Sequence, residues 1–310
     1  MGVIMAQSFL TYEQQIDKLI NDKNLIIDNK DYAINVLKQI GYFALIGGYK
    51  DLFKNATTQK YKDKTKFEDI VALYKFDENL RELFLKYILK IERNLRSVIS
   101  YYFCEKYGEN QSFYLDENNF SIYLKYIEGV KRLIGELDKL ANHDSDYAHI
   151  NHHRNKYNNV PLWVLFNGIT FGTLSKFYTL MTQDLQFKVS REFNGLSEKQ
   201  IGRILSVITK FRNVCAHNER LFSYKTKNMI PNLPIHQIMN IQRKGHTYKT
   251  GVRDLFAIVI AFKYFLGDDD FNKFKTNLTN TIDHYMQSTT ALTKNDILNA
   301  MGFPSNWANI

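Results

Sequence analysis

Apolar side chains along the middle of the chain recur with a helical rhythm. Leu80, Phe84, Tyr87, Ile91, Leu95, Val98 and Tyr102 are separated by steps of four and three, which stacks them on one face of a single long helix. The spacing predicts that helix from about Phe76–Asp77, with Asp77 as its N-cap, to about Gly108. Pro161 is the first proline, so nothing upstream forces a break. A second strong helix is expected after Ser197, where Ser197 and Gln200 have capping-box spacing and Ile201, Leu205, Ile208, Phe211 and Cys215 follow on one face. Weaker helical patterns cover Thr11–Asn21, Asp31–Ile40, Ile122–Leu140, Trp163–Met181, Gly251–Leu266 and Phe271–Gln287. Breaks fall near Asn55–Asp63, Glu109–Asn119, His143–Asn159 and Ser223–Tyr248, the last containing Pro231 and Pro234. None is rich enough in Gly, Ser or Pro to act as a flexible linker. No alternating strand pattern and no internal repeat stands out, so the expected fold is all-α.

Composition adds limits. Hydrophobic residues make up 45% and charged residues 24%, ordinary values for a globular protein. No run approaches the roughly 18 apolar residues of a membrane span. Leu255–Leu266 comes nearest, but Lys263 interrupts it, so it reads as a buried helix. The N-terminus lacks a basic-then-apolar leader, and a cytoplasmic location is expected. Cys104 and Cys215 are distant and not in a CxxC pair, which disfavours a disulfide framework or a cysteine zinc site.

Charge changes the picture most. The formal net charge is +9. Ten basic residues lie between Arg203 and Arg253, with Glu219 as the one acid among them, so the rest of the chain balances. A local excess of this kind points to a polyanionic partner, nucleic acid or an acidic membrane surface. No basic amphipathic anchor supports the membrane reading.

Inside that window, at the end of the second strong helix, runs Phe211-Arg-Asn-Val-Cys-Ala-His-Asn-Glu-Arg-Leu-Phe222. On a helix Asn213, His217 and Arg220 share a face, and Arg212 lies about 140° from His217. Val214, Cys215 and Leu221 are left to face the core. An Arg and a His at a helix end are commonly just a surface pair or a cap. The same residue types also suit metal-free RNA cleavage: His217 moves a proton, Arg212 neutralises the phosphate, and Asn213 and Arg220 position. DNA has no 2′-OH and could not react this way.

These residues resemble a family. Arg212-Asn-Val-Cys-Ala-His217 is similar to the R-x4-6-H motif of HEPN domains, and the longer string resembles the AbiD/AbiF-type abortive infection proteins. Further pieces match in order: Phe43 to Tyr49, Tyr74-Lys-Phe-Asp77 with Leu80-Arg81, Ile91-Glu-Arg-Asn-Leu-Arg96, Pro161-Leu-Trp163 through Phe171-Gly-Thr-Leu-Ser175, and Gly302-Phe-Pro-Ser-Asn-Trp307. The resemblance covers most of the chain. It implies a HEPN-like helical bundle with additional helices at both ends: an N-terminal helical region (1–73) packing on a core (74–224) that carries the motif, then a basic connector with C-terminal helices (225–310). It implies a metal-independent endoribonuclease toxin in phage defence, needing no cofactor. Many HEPN enzymes pair two motifs across a dimer, and this chain holds one Arg-x4-6-His, so a homodimer is expected. Some relatives are restrained by a small structured RNA. The rival reading is a non-catalytic RNA-binding protein using the same basic face.

Three groups stay open. Glu92 and Arg96, at i and i+4, are either a surface ion pair or a support that orients Arg212 or His217. His149 and His153 have zinc-pair spacing within the His143–His153 cluster, but only Asp144 and Asp146 stand near as a third ligand, so no metal site is expected. Arg154, Lys225, Lys227, Arg243, Lys244 and Lys249 are candidate RNA contacts, whereas Trp163, Phe166 and Phe171 read as core.

Overall fold

A computed structural model describes residues 9–143, 145–193 and 195–310. Helices α1 (Tyr12–Asn21) and α2 (Lys30–Ile40) open the chain. Thr11 and Gln14 close a capping box on α1, and the Asn29 side chain caps α2 by accepting from the Tyr32 amide at 2.9 Å. A π-helical turn at Phe43–Gly47 and a 3-10 turn at Lys50–Phe53 follow.

Helix α3 (Phe67–Tyr107) has 41 residues and is therefore about 60 Å long. It begins ten residues before Asp77, which is not its N-cap. The apolar face continues upstream through Phe67, Ile70, Val71 and Leu73, all buried. Asp77 lies inside the helix with none of its surface exposed. Residues 73 and 74 also fall within α3, so this helix straddles the boundary expected there.

Next come α4 (Gln111–Tyr114), α5 (Ile127–Asn142), α6 (Ala148–Tyr157), α7 (Leu162–Leu165), α8 (Phe171–Leu180), α9 (Gln183–Ser190) and α10 (Glu198–Ala216). The chain ends with α11 (Pro234–Ile238), a hairpin of β1 (Arg243–Lys244) and β2 (Thr247–Tyr248), α12 (Leu255–Phe265), α13 (Asp268–Ser288) and α14 (Lys294–Met301). The fold is all-α apart from this hairpin among the described residues. Three expectations need correction. Helix α6 occupies the expected break at 143–159. The helix expected over 163–181 is split, because Thr170 caps α8 by accepting from the Thr173 amide at 3.1 Å. Trp163 is 48% exposed and not core, unlike Phe166 and Phe171.

Helix α3 is the axis, with α10 and α13 packed along it and α7, α8 and α9 against its second half. Nine of the eleven residues of α12 are buried, which explains its unbroken apolar run. Phe84 and Tyr87 of α3, Phe262 of α12 and Phe274 of α13 meet edge to face or tilted, with Phe262 and Phe274 centroids 4.8 Å apart. Buried apolar side chains from Ile16 to Ile310 form one continuous cluster. Among the described residues no helix is long and apolar enough to cross a membrane.

Candidate functional site

Helix α10 presents the motif because its two ends are defined locally. At the start, the Gln200 side chain accepts from the Ser197 amide at 2.8 Å. Ile201, Leu205, Ile208 and Phe211 then face the core, with Cys215 7% exposed. Burial pushes the Cys215 thiol up to about 12, so it is an inert core group. At the other end Asn218 turns left-handed at φ +56°. The Glu219 amide donates to Val214 O at 3.0 Å and the Asn218 amide to Cys215 O at 3.4 Å. These two bonds form a Schellman stop. His217 is the last residue before the reversal, its amide still bonded to Asn213 O at 2.9 Å. Both Asn213 and His217 are exposed. Arg220 lies beyond the stop and does not share their helical face. Its Nη1 donates to Gly48 O, and it stands 3.8 Å from Asp51.

Arg212 sits on the last full turn of α10 with 29% of its side chain exposed. Its Nε is 4.0 Å from Oε2 of Glu92 on α3, and both atoms are shut off from solvent with no hydrogen-bond partner among the described residues. Arg96 Nη2 holds the other carboxylate oxygen, Oε1, and also donates to Ile169 O at 2.8 Å. Burial raises the Glu92 pKa, opposed by the charges of Arg96 and Arg212. A surface ion pair is therefore excluded for Glu92, which is 3% exposed. The structure brings Arg212, Glu92 and Arg96 together.

Sequence reasoning missed the residue that anchors the chain after the stop. The Asp77 carboxylate accepts from the amides of Leu221 (2.9 Å) and Phe222 (2.6 Å), from Tyr49 Oη (2.7 Å) and from Arg81 Nη1 (2.7 Å). Burial drives the Asp77 pKa upward, while Tyr49, the two amides and Arg81 pull it back. A signal was present: Asp77 stands three residues before Leu80, on the apolar stripe, where a carboxylate is buried only if partnered. Tyr49 also stacks on Phe222 at 5.8 Å. Through this junction the Phe43–Phe53 turns, the start of α3 and the end of the motif are one unit.

The sequence profile of the Abi-like protein family matches residues 35–223. The chain belongs to the Abi-like protein family. That membership ties it to abortive infection, a form of phage defence. The match takes in both turns, α3, and α10 with its motif, so every residue of the Asp77 and Glu92 clusters is an Abi-like position; α11 to α14 lie beyond it. No curated protein and no solved structure matches the chain.

Past the Abi-like region the basic window divides in space. After Asn218 the chain runs back along α10: the Tyr224 ring meets Phe211 edge-on at 5.0 Å, and Arg203 donates to Met229 O at 3.4 Å. Arg203 is fourteen residues before His217, about 21 Å along the helix. The hairpin is tied to this far end, since Asn232 donates to His246 O at 3.0 Å. Arg243, Lys244 and Lys249 are exposed there. Arg243 lies over the Tyr248 ring at 5.0 Å, and Lys249 donates to Gln242 at 2.7 Å. Lys225 and Lys227 are exposed on the returning segment. The end of the window returns to this segment, with Arg253 O accepting from the Thr226 amide at 2.9 Å.

Arg154 belongs to a different structure from the one expected. Its guanidinium donates to the carbonyls of Ala141 and His143 and, at 2.7 Å, to Asn151 Oδ1, tying the end of α5 to α6. On α6, His153 packs beside Tyr157 at 5.3 Å, and His149 beside Tyr147 at 5.8 Å. No group of three His, Cys, Asp or Glu gathers as metal ligands among the described residues. Asp144, considered as a third ligand, lies outside them.

Proposed function

We propose that this Abi-like protein is a metal-independent endoribonuclease of the HEPN kind, of the AbiD/AbiF type, acting as a toxin in phage defence. The observation that carries the reading is the end of α10. It leaves His217 exposed and sets Arg212 Nε opposite buried Glu92, so the outer guanidinium N–H groups, unbonded among the described residues, can meet a phosphate. In the reaction, the 2′-oxygen of a ribose attacks the adjacent phosphorus while His217 takes the 2′ proton. The bond to the 5′-oxygen breaks, and a protonated imidazole supplies the proton that makes the 5′-OH product. The other product is a 2′,3′-cyclic phosphate. Arg212 balances the charge that builds on the phosphoryl oxygens.

One base and one acid are needed together, and each chain carries one such histidine. A homodimer that faces two α10 ends, with Asn213 beside them, supplies both. The exposed Lys225 and Lys227 extend a basic track from the motif for substrate or for an inhibitory RNA.

The test is purified protein with single-stranded RNA, analysed for 2′,3′-cyclic phosphate ends, with and without chelator. Wild type cleaves in both conditions; His217→Ala and Arg212→Ala bind RNA but do not cleave. Cleavage by His217→Ala at the wild-type rate overturns the assignment. RNA binding without cleavage by wild type favours a non-catalytic RNA-binding role.

A further inference from the structure

A second concentration of positive charge lies outside the basic window and outside the motif. Lys18, Lys23, Lys50 and Lys54, with Tyr42 and Tyr61, line a cleft of about 1090 Å³ between α1 and the two turns that follow α2. Lys23, Lys50 and Lys54 are half-buried, yet none makes an ion pair among the described residues. Burial lowers the Lys54 pKa, and Lys50 and Lys23 lower it further by repulsion. Its ammonium lies 5.4 Å from the Tyr61 ring centroid. Tyr61 itself is 4% exposed, and its hydroxyl is buried with no hydrogen-bond partner among the described residues. Two acids line the cleft, Asp17, which is engaged by Lys30 at 3.0 Å, and Asp22. Asp51 beside it partly offsets the repulsion at Lys54, so the four lysines still outnumber the acids.

Crowding half-buried like charges beside fewer counter-charges is unfavourable. A multiply charged anion relieves that repulsion. Phosphate esters fit best: their oxygens are strong acceptors for several ammonium groups, and Tyr42 offers an aromatic wall for an attached base. The volume exceeds what a lone phosphate needs and lies just above the usual span of small-ligand sites, roughly 300–1,000 Å³. We propose that this cleft binds the phosphate groups of a nucleotide, presented either free or on an RNA strand, and that the site is separate from the Arg212–His217 motif. It does not depend on the cleavage reading.

The experiment uses the full-length protein and isothermal titration with inorganic triphosphate, ATP, and a short RNA carrying either a 5′-phosphate or a 5′-hydroxyl. A Lys50→Gln/Lys54→Gln variant is expected to weaken binding about tenfold or more, while Lys50→Arg/Lys54→Arg retains it. Arg212→Ala, which removes the phosphate contact of the motif, is expected to bind triphosphate and ATP as wild type does, which separates this site from the motif. Binding of triphosphate and ATP identifies a free nucleotide as the source. Binding only of the 5′-phosphorylated RNA, lost in the Gln variant, identifies the strand. The proposal is overturned if none of the probes binds, or if the Gln variant folds and binds them all with unchanged affinity.

Discussion

Arg212 Nε and Glu92 Oε2 face each other at 4.0 Å, both sealed from water, across the contact between α10 and α3. The separation is too long for a hydrogen bond, so the pair steers the guanidinium by charge more than by a fixed bond. Glu92→Gln keeps the shape and removes the charge. On the proposed ribonuclease reading, RNA cleavage is expected to fall at least about tenfold, with the circular dichroism spectrum unchanged. Glu92→Ala is expected to cost about 1–3 kcal/mol in urea unfolding, because Arg96 loses its carboxylate partner. Wild-type cleavage by Glu92→Gln would remove Glu92 from any positioning role.

Asp77 is the stronger structural determinant. Asp77→Ala leaves Arg81, itself 4% exposed, without its buried partner and frees the Leu221 and Phe222 amides. The expected loss is about 3–5 kcal/mol. Asp77→Asn should cost less, and hydrogen exchange at Leu221 and Phe222 should accelerate before the rest of the core opens. Unchanged exchange at both amides in a folded Asp77→Asn protein would contradict the anchoring role.

His236 introduces a pH dependence whose sign follows from its surroundings. The ring is fully buried, stacked on Tyr248 at 4.6 Å, with Nε2 2.7 Å from Gly251 O and Nδ1 3.1 Å from the Leu233 amide. The neutral tautomer that donates from Nε2 and accepts at Nδ1 satisfies both. Burial lowers its pKa. The unfolded chain therefore takes up the proton more readily, so this contribution is complete above about pH 6.5 and is lost as pH falls below it. Asp254, pushed up to about 6 by burial, has the opposite sign: its contribution is present at low pH and lost as pH rises through about 6. Comparing wild type with His236→Gln isolates the histidine. Unfolding free energies at pH 7.5 and 5.5 should differ less in the variant.

Gly302 explains why a glycine opens the C-terminal Gly-Phe-Pro-Ser-Asn-Trp string. It ends α14 at φ +78°, and a Cβ there would stand 2.4 Å from Asp254 Cγ. Asp254 in turn caps α12, accepting from the Ala257 amide at 3.2 Å. Gly302→Ala combines backbone strain with a clash against a buried side chain, an expected cost of about 2–5 kcal/mol in thermal or urea unfolding. A loss below half a kilocalorie would mean that Asp254 moves aside freely.

Much of the fold was legible along the chain. The four-and-three rhythm through α3, the Ser197–Gln200 cap of α10, the inward Cys215 and the buried α12 all follow from periodicity and capping, which are local properties of neighbouring residues. What periodicity cannot report is which polar group on one helix meets which on another. Asp77 looked like a cap because an acidic residue beside an apolar run often is one; only the packing of the Phe43–Phe53 turns and residues 221–222 against α3 makes it a buried acceptor. Arg220 looked like a neighbour of His217 until the left-handed Asn218 turned the chain. The basic window is continuous in sequence, yet the hairpin lysines and arginine are tethered near Arg203 while Lys225 and Lys227 follow the motif. Charge is counted along the chain, but it acts through space, and the path of the backbone after the helix stop sets those distances.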